Sequence, residues 1–251
     1  MGRFGWRAKI GLIVPSVQTV TEPLYARLVP EGVSVHGARA LLESSTPEAL
    51  QAMDLNIEQA AIELASAKVS VLVNCCTMSG ILHGLEKDRE FCEQIAYRTG
   101  IPTTSTVQAI AEVLPLQGLR RLIVVSPYDE VLDKAEHHFL TSEGYEVLGA
   151  YGLGLTDGCA FADVPREDIY RFCREHWDSS ADGLFISCMN FDGFGVVDIL
   201  EQDLSKPVIT SHSATLWKAL TMAGVQEPLT EGGKLLKDSG SMCIEGRIVG
   251  L

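Results

Sequence analysis

The chain has 251 residues, 46% apolar and 21% charged, a composition that fits a packed globular protein and excludes disordered and fibrous classes. Its formal charge is −13, with 20 Lys and Arg against 33 Asp and Glu, so a nucleic-acid partner is not expected. No apolar run reaches the ~18 residues of a membrane span, and the start Met1-Gly-Arg-Phe-Gly-Trp-Arg-Ala8 lacks a signal-peptide apolar stretch, so no membrane association and a cytoplasmic location are expected.

Apolar, β-branched runs alternate with helical periodicity along the chain. Strands are expected at Ile10 to Val14, Val33 to His36, Val69 to Asn74, Leu122 to Ser126, Glu146 to Ala150, Gly183 to Ser187 and Pro207 to Thr210. Between them, Pro47 to Ala67 carries Leu50, Met53, Ile57, Ala60, Ala61 and Leu64 at helical spacing, with an N-cap in Ser45-Thr46 and proline at the first helical position. The alternation predicts an α/β fold of parallel strands with helices on both faces.

The order repeats at an offset of about 112 residues. Ile10-Gly-Leu-Ile-Val-Pro-Ser matches Leu122-Ile-Val-Val-Ser-Pro, Val33-Ser-Val-His matches Tyr145-Glu-Val-Leu, and Val71-Leu-Val-Asn-Cys75 matches Leu184-Phe-Ile-Ser-Cys188. Two pseudo-symmetric halves are therefore expected, each a short parallel sheet with helices on both faces, with the site in the cleft between them. Residues 1–117 plus 213–251 form the first half and 118–212 the second. The linker falls near Leu116 to Leu119, and a helix from Ala214 to Ala223 returns to the first half. The polar tail from Gln226 contains Ile244-Glu-Gly-Arg247, an incidental match to a protease-cleavage tetrapeptide.

Ligands of parallel α/β sheets bind outside the carboxyl ends of the strands. Cys75 opens Cys75-Cys-Thr-Met-Ser-Gly80 and Cys188 opens Cys188-Met-Asn-Phe-Asp-Gly193, each directly after an apolar run. The positive end of the following helix is expected to lower each thiol pKa from about 8.5 toward neutrality. Two thiols facing across a cleft suit inversion at carbon, where one face loses a proton as the other gains one. They also suit addition of a thiolate to a double bond while the second thiol moves protons. Aligning the strand ends assigns catalysis to Cys75 and Cys188 and a lining role to Cys76. Thr77 and Ser79 are hydroxyls at a helix start, where they cap the helix or cradle a carboxylate. The first strands of the halves end in Pro15-Ser16-Val17-Gln18 and Ser126-Pro127-Tyr128, where Gln18 and Tyr128 are hydrogen-bond donors for a substrate.

Other patterns are weaker. Gly152-Leu-Gly154 lacks the third glycine of a dinucleotide fingerprint, and Cys173 and His176 have no second pair to complete a metal site. His137-His138 reads as an exposed helix face. Seven cysteines, two of them adjacent, are expected as free thiols in a reducing compartment. No metal, nucleotide or pyridoxal cofactor is expected.

These residues resemble the aspartate/glutamate racemase superfamily, in particular its maleate cis-trans isomerase and arylmalonate decarboxylase branch. Val73-Asn-Cys75-Cys-Thr77-Met-Ser79 is similar to the first cysteine motif of the superfamily and Ile186-Ser-Cys188 to the second. Ile10-Gly-Leu-Ile-Val-Pro-Ser16 and Tyr128 are similar to the branch, and the resemblance runs from about residue 9 to 225. It implies a cofactor-independent isomerase or racemase of a small carboxylic or dicarboxylic acid, assembled as a homodimer or homotetramer. Cys75 and Cys188 would be catalytic. Thr77, Tyr128 and the backbone of Met189 and Asn190 would hold a substrate carboxylate, in a site also lined by Pro15, Ser16, Gln18 and Cys76.

Gln18 stands where maleate isomerases carry asparagine. No acidic residue follows the first strand as it does in amino-acid racemases, so a plain carboxylic acid is expected. The alternatives are a decarboxylase of substituted malonates with Cys188 as sole acid, and a non-catalytic sensor of small acids. A second thiol at Cys75 points away from decarboxylation.

Overall fold

The structure is a computed structural model and describes residues 4–239. Among the described residues, eight strands form two parallel sheets. The first holds β1 (Ala8–Pro15), β2 (Val33–Ala40), β3 (Val71–Asn74) and β4 (Thr103–Ser105) in the order β2-β1-β3-β4. The second holds β5 (Arg121–Ser126), β6 (Glu146–Gly152), β7 (Gly183–Ile186) and β8 (Val208–Thr210) in the order β6-β5-β7-β8. The order follows burial: β1, β3, β5 and β7 are nearly continuous apolar runs and lie inside, whereas β2, with His36 and Arg39, and β6, with Glu146, form edges.

Seven of these strands coincide with the expected apolar runs. The eighth, β4, is the three-residue segment Thr103-Thr-Ser105, whose polar side chains give no strand signal; its pairing of Leu72 with Thr103 is supplied by the sheet.

The helices are α1 (Thr21–Leu28), α2 (Pro47–Ser66), α3 (Thr77–His83), α4 (Leu85–Thr99), α5 (Thr106–Leu116), α6 (Glu130–Ser142), α7 (Arg166–Glu175), α8 (Val197–Leu204), α9 (Ser211–Met222) and α10 (Gly233–Lys237). The Thr46 hydroxyl caps α2 by accepting the Ala49 N–H at 3.3 Å, and Pro47 occupies the first turn. The stripe read from the sequence is the buried one, with Leu50, Met53, Ile57 and Leu64 under the sheet. Each such side chain stabilises the fold by roughly 1.5–3 kcal/mol.

After α5 the chain passes through Gln117 to Arg120 into the second sheet. Directly after β8, Thr210 and Ser213 form a reciprocal capping box that starts α9 at Ser211, ahead of the expected Ala214. That helix packs on α5 and reaches β3 and β4 of the first sheet as well as β8. Among the described residues no helix is long and apolar enough to cross a membrane. Ile244 to Arg247 lie outside the described residues, as does the rest of 240–251.

Candidate active site

A cleft of about 410 Å³, counted out to its mouth, opens at the carboxyl ends of the inner strands. Of the residues singled out in the sequence, Pro15, Gln18, Cys76, Thr77, Tyr128, Cys188, Met189 and Asn190 line it. Cys75 and Ser16 do not.

Ladder geometry explains the displacement of Cys75. Ile13 pairs with Asn74 in the first sheet as Val125 pairs with Ile186 in the second. One residue on, the Cys75 N–H donates to Ile13 O and the Ser187 N–H to Val125 O, both at 2.8 Å. The counterpart of Cys75 is therefore Ser187, and the counterpart of Cys188 is Cys76. Matching Cys75 to Cys188 is out of register by one residue, which in an extended chain reverses the face. Cys75 continues the face of Val71 and Val73 and is fully buried with Tyr25 and Leu216, its thiol donating to Val73 O at 3.5 Å. Cys76 falls on the opposite face, toward the cleft. Cys188 reaches the cleft with φ at +91°, a left-handed conformation that non-glycine residues rarely adopt.

Ser16 turns the other way. Its Oγ accepts the Leu42 N–H at 3.0 Å and so holds the loop that carries Leu42 into the cleft wall.

Neither cleft thiol has the lowered pKa expected from a helix terminus. Burial pushes both Cys76 and Cys188 up to about 12. Opposing this, the Ser79 and Met78 N–H groups at the start of α3 favour a Cys76 thiolate. The Asn190 N–H, 3.3 Å from Cys188 Sγ, and the Tyr128 hydroxyl do the same for Cys188. Asp54 and Asp88 work against a Cys76 thiolate, and Cys76 and Glu136 against a Cys188 thiolate. Burial thus favours the neutral form of both thiols, and a thiolate at Cys76 opposes one at Cys188.

The polar groups around them are largely occupied. Ser211 Oγ accepts both the Thr77 hydroxyl and the Cys188 N–H, each at 3.1 Å, tying the two cysteine loops together. Gln18 Nε2 donates to Cys75 O at 2.7 Å while its Oε1 accepts the Thr21 hydroxyl at 2.7 Å. Asn190 Oδ1 accepts the Thr19 N–H at 2.9 Å and Nδ2 donates to Gly158 O at 2.7 Å. Ser79 donates to Asp54 at 3.2 Å. Tyr128, edge-on to Phe161 with ring centroids 5.8 Å apart, is the phenolic donor in the wall.

The remaining wall is mostly apolar, with Val17, Leu42, Leu50, Met78, Leu132 and Phe161 beside Gly158 and the hydroxyl of Ser45. The sequence does not mark these as site residues, because they come from separate loops and helices whose convergence only the fold supplies. Ser211, directly after β8, was missed although its strand-end position was a usable signal. No Lys, Arg or His among the described residues lines this wall. Among the described residues, no group of three or more His, Cys, Asp or Glu side chains is placed to hold a metal ion.

A family model described as arylmalonate decarboxylase matches residues 10–236. The chain is similar to the maleate isomerase of Pseudomonas putida, 27% identical over 91% of this chain and 96% of that one. It is likewise similar to the arylmalonate decarboxylase of Bordetella bronchiseptica, 25% identical over 92% and 97%. Among solved structures, the maleate isomerase Iso from Pseudomonas putida, a cysteine-to-alanine variant with maleate, superposes with a TM-score of 0.87 at 24% identity, covering 92% of this chain and 97% of that one. A cysteine-to-serine mutant of Nocardia farcinica maleate cis-trans isomerase with a covalently bound succinylcysteine intermediate superposes with a TM-score of 0.84 at 23% identity, over 92% and 98%. At these identities the superpositions establish the shared two-sheet fold.

Proposed function

The chain belongs to the arylmalonate decarboxylase family, and from that premise we propose that it is a cofactor-independent isomerase of a small carboxylic acid, with Cys76 and Cys188 as its working thiols. The observation that carries this reading is the placement of two thiols from equivalent positions of the two halves in the wall of one cleft. The substrate carboxylate is held by the backbone N–H groups of Thr77 and Met189, each directly after a cleft thiol.

The working pair carries one proton, so one must leave before reaction. Cys76, supported by the Met78 and Ser79 N–H groups, then takes the α-proton from one face of the substrate. Cys188 delivers its own proton to the other face, and the carbon inverts. On an unsaturated diacid the same pair permits a second course: Cys76 sulfur bonds to one alkene carbon, Cys188 protonates the other, the C–C bond rotates, and the steps reverse. The maleate isomerases among the relatives favour that second course.

The apolar wall favours the first. Both amide side chains in the cleft already hold protein groups, so a second carboxylate would meet Leu42, Leu50, Leu132 and Phe161 with the Ser45 hydroxyl as its one side-chain donor there, which burial penalises. A monocarboxylate with an apolar α-substituent fits better. The six free cysteines of the described residues support a reducing, cytoplasmic setting. Exposed Leu55 and Ile62 on α2 and Tyr97 on the adjoining α4 support self-association, which light scattering checks.

Proton NMR in deuterium oxide tests the reading with 2-phenylpropanoate and maleate as probes. We expect deuterium to wash into the α-position of 2-phenylpropanoate, and that exchange to vanish in both Cys76→Ser and Cys188→Ser. Full turnover in both variants would overturn the two-thiol scheme. Conversion of maleate to fumarate alone would keep the pair and replace the substrate.

A further inference from the structure

Behind Cys188 lies a buried acid that the two-thiol scheme leaves unused. Glu136, on α6, is 1% exposed. Its Oε1 accepts the Ser187 hydroxyl, and its Oε2 has no hydrogen-bond partner among the described residues. Ser187 immediately precedes Cys188, and its N–H is fixed to Val125 O at 2.8 Å. The Tyr128 hydroxyl interacts with both Ser187 and the Cys188 thiol. Glu136, Ser187, Tyr128 and Cys188 thus adjoin one another in a polar chain that ends on the thiol.

Where a proton sits on Glu136 sets the direction of that chain, because each hydroxyl has a single hydrogen to donate. With Glu136 neutral, its carboxyl donates to Ser187, Ser187 donates to Tyr128, and Tyr128 donates to the Cys188 sulfur. With Glu136 ionised, the carboxylate only accepts. Ser187 must then turn its hydrogen to Glu136, and the Tyr128 hydrogen is drawn to the Ser187 oxygen. A thiolate at Cys188 then keeps the Asn190 N–H but loses the Tyr128 donor, and it faces a second buried negative charge.

We propose that Glu136 is a positioning residue that switches Cys188: protonated, it aims the Tyr128 hydroxyl at the sulfur and lets Cys188 release its proton, and ionised, it holds that proton in place. The consequence for turnover rests on Cys188 being one of the working thiols. Burial pushes Glu136 up to about 8, with the Ser187 bond opposing and Asp133 adding to the shift. The facing groups are Asp133 on the same helix, which accepts from the Ser126 hydroxyl, and Tyr128 and Cys188 themselves. His83, on the α3 helix packed against α6, is committed to Asp54 at 2.8 Å, and Lys134 is paired with Glu130. The switch therefore operates just above neutral pH.

Alkylation of the full-length protein by iodoacetamide between pH 6.5 and 9.5, read by peptide mass spectrometry, tests this without a substrate. The exposed Cys159 supplies the internal reference rate. In the unmodified protein the Cys188 rate relative to Cys159 should fall about tenfold across the ionisation of Glu136, the equivalent of one pKa unit. E136Q, whose amide donates to Ser187 at every pH, should remove the break. S187A, which cuts the chain with Glu136 still present, should remove it too. No break in the unmodified protein, or the same break in both variants, would overturn the proposal. A Glu136-dependent break beside a Cys188→Ser enzyme of full turnover would leave the switch standing and remove the two-thiol reading. A Glu136-independent break in a Cys188-dependent enzyme would do the reverse.

Discussion

Equivalent backbone positions carry different chemistry behind the two cleft thiols. Behind Cys76 stands Cys75, sealed among Val73, Tyr25 and Leu216. Behind Cys188 stands Ser187, bonded to the buried carboxyl of Glu136. Against the first half's Tyr25 packs a second buried group, His212 of α9, edge-on to that ring, and burial favours its neutral form, its pKa pushed down to about 4. Placement of the thiols is thus shared by both halves, whereas their tuning resides in the layer behind, where the halves have diverged. The same fold can hold two matched thiols yet give only one a pH-sensitive support.

The largest effect expected from this asymmetry concerns stability at alkaline pH. Glu136 titrates near 4.5 when unfolded and at about 8 when folded, so the folded chain holds the extra proton between those values. Its contribution is fully present below pH 4.5 and is lost as pH rises through 8, a fall of up to about 5 kcal/mol. Denaturant unfolding at pH 5 and pH 9 should show that E136Q lacks most of this fall. Equal falls in the two proteins would erase the contrast between the halves.

His212 should act in the opposite direction. Unfolded it binds a proton near pH 6.5, and folded only at about 4, so its contribution is present above 6.5 and is lost as pH falls toward 4, by about 3 kcal/mol. H212N should flatten that acid limb in urea titrations and leave the alkaline limb unchanged. Tyr128→Phe comes next, lowering kcat about 10- to 100-fold through loss of one hydrogen bond to a developing charge. Ser211→Ala, which leaves the Thr77 hydroxyl and the Cys188 N–H without their shared acceptor, should cost about 1–2 kcal/mol in thermal unfolding.

Much of the fold was legible because the inner strands are apolar along their length, and the repeat located both cysteine loops. The choice between Cys75 and Cys76 was not, since two adjacent cysteines after one strand differ only in the face they take. The positive φ of Cys188 then hides which of them is its counterpart. Eight of the ten site residues named from the sequence line the cleft, and the two that do not, Cys75 and Ser16, point to the core and to the Leu42 loop. The apolar wall depends on long-range convergence and left no local mark. Glu136 did leave one: with Leu132, Phe139 and Leu140 it occupies the buried stripe of α6, and a carboxylate on an apolar stripe marks a candidate for chemistry.

The most direct measurement is the turnover of three single variants, Cys75→Ala, Cys76→Ala and Cys188→Ala, on one identified substrate. Loss of roughly 10²- to 10⁴-fold is predicted for Cys76→Ala and Cys188→Ala, the range for a positioned proton-transfer group, with Cys75→Ala close to the parent enzyme. A Cys76→Ala enzyme of full activity beside an inactive Cys75→Ala would contradict the account.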